Sequence, residues 1–183
     1  MKFGGRSSSN RLEEVITKWL IDEGFEVKKL DPRFPIKTVW GIDVRTPPPM
    51  TVGFSIFKPA ERTDRFVILL GVAISPEHLT ELSKLKPTER LKFMSRLMIE
   101  ILKVCPTCHV AVEPNPISPR GISTSLTILE ETLRKEGRNY LLNSIYRIIN
   151  TFIAIISYFN EAFPEVTMSK TQQTGGKTTL TSI

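Results

Sequence analysis

The chain has 183 residues, 40% hydrophobic and 24% charged, which suits one ordinary globular domain able to bury a core without disulfides or metal. Its formal net charge is +6, but half of it lies near the ends, on Lys2 and Arg6 and on Lys170 and Lys177 against Glu165. The body is too mildly basic for a dedicated DNA-binding surface, so nucleic acid is allowed as a partner but not favoured.

Residues 1–8 read as a loose tail, without the apolar stretch of an export signal. The domain is expected over 9–163, and the cytoplasm is its expected location. Asn10 and Glu13 have capping-box spacing, and Leu12, Val15, Ile16, Trp19 and Leu20 follow at helical spacing up to Gly24. The period then changes to two. Ile36, Trp40, Ile42 and Val44 alternate with polar residues and glycine in a half-buried strand, which Pro47, Pro48 and Pro49 end. Val52, Phe54 and Ile56 mark a second strand. Residues 65–74 mark a third that is apolar on both faces. Short polar turns between them predict an antiparallel meander.

A short helix opens with Ser75 and Pro76, and a second covers 87–103 with Leu91, Met94, Leu97, Met98 and Ile101 in its stripe. Strands over 109–113 and 122–129 flank a proline-rich loop, and a last helix runs over 137–163. The fold class expected is therefore α+β, with about five antiparallel strands in the order α-βββ-αα-ββ-α. The last helix is too interrupted by Asn143, Arg147 and Asn150 to span a membrane, yet apolar around most of its circumference. Ile145, Ile149, Phe152 and Ile156 are its candidate homodimer surface, and a clamp between the sheet and the first helix is the alternative cover. Residues 164–183 read as a disordered tail; its Gly175-Gly176-Lys177-Thr178 lacks the strand and the first glycine of a P-loop.

Three groups suggest chemistry. Cys105-Pro106-Thr107-Cys108-His109 has haem-attachment spacing, but no export signal accompanies it. As a zinc site, Cys105, Cys108 and His109 lack further ligands. As a redox pair, the cysteines sit at the wrong end of a helix. The bland reading is a helix-to-strand turn, with free or joined sulfurs. Glu13, Glu14, Asp43 and Lys58 follow a restriction-nuclease order, but Ile56 occupies the place of the second metal-binding carboxylate. That leaves a degenerate nuclease or a nucleic-acid binder as the alternative function. His78, with Glu77 and Glu81 near it, reads as a solvated helix-surface residue. No catalytic residue and no cofactor is assigned. The second sheet face carries Val39, Phe57, Val67 and Leu69, an apolar patch suited to a protein partner if helices cover only the other face.

The helix over 10–24 with Trp19, the strands around Trp40-Gly41-Ile42-Asp43-Val44 and Gly53-Phe54-Ser55-Ile56, and the helix around 145–159 together resemble the type III secretion chaperone-like superfamily, which includes YbjN-like proteins. The resemblance is to an uncharacterised archaeal branch. It implies a small dimeric module that holds extended or partly folded protein segments and has no catalytic residues. The chain departs from secretion chaperones in its basic balance.

Overall fold

The computed structural model describes residues 8–166; most of both expected tails, 1–7 and 167–183, lies outside them. Helix α1 (Ser8–Asp22) brings Leu12, Ile16 and Leu20 to one buried line. Gly24 ends it at φ +82°, where a side chain would be strained. The chain then enters strand β1 (Glu26–Lys29), which was not expected from the sequence because three of its four residues are charged. Strands β2 (Thr38–Arg45), β3 (Gly53–Pro59) and β4 (Arg65–Ala73) complete a meander. Helices α2 (Pro76–Lys84) and α3 (Pro87–Val104) lead to β5 (His109–Glu113) and β6 (Gly121–Leu129). The final helical stretch is two elements, α4 (Glu130–Glu136) and α5 (Arg138–Ala162), broken at Gly137 with φ +71°.

Among the described residues the sheet therefore has six strands, all antiparallel to their neighbours, in the order β1-β2-β3-β4-β6-β5. The α+β class holds. Period-two patterning puts Ile42, Val44, Phe54, Ile56, Phe66, Ile68, Leu70, Ile122, Leu126 and Ile128 on one face, where each is buried. Helix α5 crosses that face over β4 and β6 and packs against α3, and all five helices add side chains to the same cluster. Each aliphatic side chain buried there contributes about 1.5–3 kcal/mol of transfer free energy. Two polar groups inside are satisfied by each other: Thr124 and Thr151 share a 2.9 Å hydrogen bond between β6 and α5.

The cover of α5 answers the question its composition raised. Ile145, Ile149 and Phe152 are buried in the protein's own core and Ile156 is half-buried, so this line of α5 is not an open dimer surface. The helix is held between the sheet and α3, while the turn after α1 meets it at Glu23, paired with Arg138. His78 is also inside, 2% exposed. Its Nδ1 lies 3.1 Å from Ser75 Oγ and its ring meets Phe159 edge-on. It shares the buried side of α2 with Leu82, one helical turn on. Folded structure also runs past the expected domain end, with Val166 buried.

Candidate protein-binding face

Among the described residues, the helices leave the opposite face of the sheet open. Cross-strand neighbours run along it in rows: Gly41, Phe57, Val67 and Thr127 in one, and Asp43, Ser55, Leu69, Ser125 and His109 in the next. The first row is closed at one end. Leu30 and Phe34, from the loop after β1, fold over Phe57, whose ring meets Phe34 at 4.9 Å. Gly41 makes room for this: a Cβ there would lie 2.5 Å from Leu30 Cδ2 and 3.2 Å from Phe57 Cβ. Asp31 rigidifies the loop. It accepts hydrogen bonds from the Arg33 backbone N–H and guanidinium, and this holds its carboxyl down to about 2.

Of the four patch residues, Phe57 is thus only 2% exposed and closed to a partner. Val67 and Leu69 are half-buried, and Val39 stands out at the irregularity between Thr38 and Trp40. Beyond Leu69 the face loses its side chains at Gly53 and Gly71, where no neighbouring atom crowds the missing Cβ. Gly71 joins two shallow hollows. One, about 440 Å3, is lined by Lys28, Phe34, Asp43, Arg45, Ser55 and Leu69. The other, about 710 Å3, is lined by Ala73, Glu113, Arg120, Gly121 and Ser123.

The charged groups around the trough are close to balanced in sign. Lys28 pairs with Glu26 at 2.7 Å, and its hydrogen bond and charge hold that carboxyl below the ordinary range. Asp43 accepts hydrogen bonds from Ser55 Oγ at 2.6 Å and from the Asp31 backbone N–H at 3.2 Å. Glu113 accepts one from Ser123 Oγ at 3.1 Å.

The residues singled out for nuclease chemistry do not meet. Asp43 lies on the open face, whereas Lys58 lies on the core face, 4% exposed and ion-paired to Glu130, with its Nζ 5.3 Å from the Phe66 ring centroid. Glu13 and Glu14 belong to α1, on the helical side, beside Trp40. Cys105 and Cys108 are joined as a disulfide that closes the turn from α3 to β5. His109 projects on the open face and stands exposed. No group of three or more His, Cys, Asp or Glu suited to a metal ion occurs among the described residues.

Residues 12–159 match the family model described as "Uncharacterized conserved protein (DUF2299)". The chain belongs to the DUF2299 family. Among solved structures, this DUF2299 chain is similar to one titled as an uncharacterized protein from Methanothermobacter thermautotrophicus, at 19% identity and a TM-score of 0.70, covering 82% of this chain and 98% of that one. At that identity the likeness is one of fold. No curated protein matches this DUF2299 chain.

Proposed function

We propose that this protein is a non-enzymatic, chaperone-like module of the cytoplasm that receives an extended protein segment in the trough on its open sheet face. The trough itself carries the reading. Its floor is bare at Gly53 and Gly71, its walls offer the half-covered apolar groups of Phe34 and Leu69, with Val67 in the next row, and hydroxyls and charges of both signs stand around them. An extended chain brings alternating side chains and backbone polar groups, which such a mixed surface can match. A polyanion needs a run of one sign, and Lys28, Arg45 and Arg120 are interleaved with Glu26, Asp43 and Glu113. The order of helix, meander, helix pair, strand pair and long helix supports the resemblance to secretion chaperone-like proteins, as an analogy of architecture. Helix α5 is long and apolar enough to cross a membrane, but its most apolar line is spent on the sheet and α3, which supports reading it as a core helix. Self-association through that line is not part of the proposal.

The test is stoichiometric suppression of aggregation of a heat-unfolded reporter enzyme, together with binding to a library of extended peptides. Gly71→Arg and Leu69→Glu, which fill or charge the trough, should abolish both while leaving the melting transition in place. Absence of both activities in the unsubstituted protein would sink the proposal. Salt-dependent binding of an oligonucleotide at the same surface would favour the nucleic-acid alternative instead.

A further inference from the structure

Among the described residues the sheet has two outer strands, and they are defended very differently. An outer strand offers unpaired N–H and C=O groups, which proteins commonly guard with lysines, prolines or bulges. The β1 edge, Glu26-Val27-Lys28-Lys29, carries two lysines and a glutamate in four residues. The β5 edge, His109-Val110-Ala111-Val112-Glu113, has no lysine or proline within it and pairs with β6 without a break in register.

The sequence of β5 is also complementary to itself. Laid antiparallel against a second copy with Ala111 on the two-fold axis, His109 of each strand faces Glu113 of the other, and Val110 faces Val112. An imidazole meets a carboxylate at both ends, within reach of an N–H to oxygen hydrogen bond, valines meet between them, and the smallest side chain sits on the axis. His109, Ala111 and Glu113 are all exposed in the single chain.

Helix α3 extends this edge. Phe93 turns toward α5, where it meets Tyr158 and Phe159, and Met94, Leu97 and Ile101 form the buried line. Leu91, Met98 and Leu102 lie on the other side of that line, roughly a quarter-turn from it at about 100° per residue. They therefore lie on the flank of α3 opposite Phe93 and α5, and α3 also packs against the outer strand β5. Leu91 is 44% exposed and Leu102 39%. A neighbouring strand added to β5 would lie beneath this apolar shelf, and a two-fold axis at Ala111 would bring two such shelves together.

From these observations we infer that a second copy of this chain pairs along β5, joining two six-stranded sheets into one continuous sheet, with the α3 shelves packed across the axis. The partner is a second copy because the edge matches its own sequence in hydrogen-bonding groups, size and symmetry; a generic strand would meet His109 and Glu113 without that match. This interface borders the trough at Glu113, but Ala111 does not line the trough, and self-association and segment binding are read by different assays, so the two readings fail independently.

The experiment is sedimentation of the full chain over a concentration series. The unsubstituted protein should sediment as a dimer. Ala111→Asp sets two carboxylates face to face and should give a monomer with an unchanged circular-dichroism spectrum and reporter suppression. His109→Glu and Glu113→Lys should each weaken self-association by about tenfold, since each alters two cross-strand pairs. Mixed together they should form a heterodimer, because the carboxylate introduced by His109→Glu on one strand then faces the ammonium introduced by Glu113→Lys on the other. A monomeric unsubstituted protein overturns the inference. So does a dimer that all three substitutions leave intact, or a mixture in which the charge-swapped variants do not prefer each other. The mixing result stands even where Ala111→Asp impairs folding.

Discussion

The pair between Lys58 and Glu130 joins β3 to α4 across 72 residues of sequence, and Glu130→Gln tests what it contributes. Lys58 is 4% exposed, and Gln keeps the shape of its partner while removing the charge. An ammonium group left uncompensated in such a place costs about 3 kcal/mol. For a domain of this size that lowers the melting temperature by about 6–12 °C. Replacing both residues, as Lys58→Met with Glu130→Gln, lays an apolar chain over Phe66 and should return stability to within about 1 kcal/mol of the starting protein, since a buried pair and an apolar substitute are often near parity. Acid adds a second arm. Burial pushes the Glu130 carboxyl up, but the hydrogen bonds and charges of Lys58 and Arg134 outweigh it, leaving its pKa below the ordinary 4.5. A carboxyl lowered on folding stabilises fully above its unfolded pKa and loses that contribution as pH falls through its folded value. The difference between Glu130→Gln and the starting protein should therefore shrink as pH drops below about 4.5. Urea titrations followed by circular dichroism at neutral and acid pH supply every number. A deficit under about 1 kcal/mol at neutral pH, a double variant as weak as the single one, or a deficit indifferent to pH would refute the reasoning.

Further outcomes follow from other contacts. Gly41→Val should destabilise by about 1–3 kcal/mol by forcing Leu30 and Phe57 apart, with faster proteolysis of the loop over 30–37 as a local readout. Thr151→Val should cost about 1–2 kcal/mol by stranding the Thr124 hydroxyl, whereas the double change to Val at 124 and 151 should be close to neutral; paired chemical denaturation curves distinguish them. Reducing the Cys105–Cys108 bond should lower stability by about 2 kcal/mol, the loop-closure value for so short a ring, measured as a shift in urea midpoint with and without reductant.

Much of the architecture is written in local periodicity. The second to fourth strands and β6 each bury one row of side chains, so their alternation is visible without any knowledge of partners. Strand β1 is invisible by the same criterion: only Val27 meets the core, and its charged neighbours protect an edge. Helix α4 buries Leu133 alone among its seven residues, and Gly137 marks a break between two helices as readily as the start of one. The second face at Val67 and Leu69 is legible because β4 is apolar at every other position on both sides. The burial of Phe57 is not, because it depends on Leu30 and Phe34 in a loop with no period. Lys58 gives no local sign that its partner lies in a distant helix. His78 misleads because Glu77 and Glu81 flank it, while its own position falls on the line of Leu82.

Strand β4 ends at Ala73, yet the strand that pairs with its far edge, β6, begins only at Gly121. On a ribosome adding roughly 5–20 residues per second, the meander would emerge and wait several seconds with the outer edge of one long apolar strand unpaired. During that interval the most adhesive edge in the nascent chain is the one that later becomes the most deeply enclosed. The edge exposed in that interval is one the finished sheet encloses between β3 and β6.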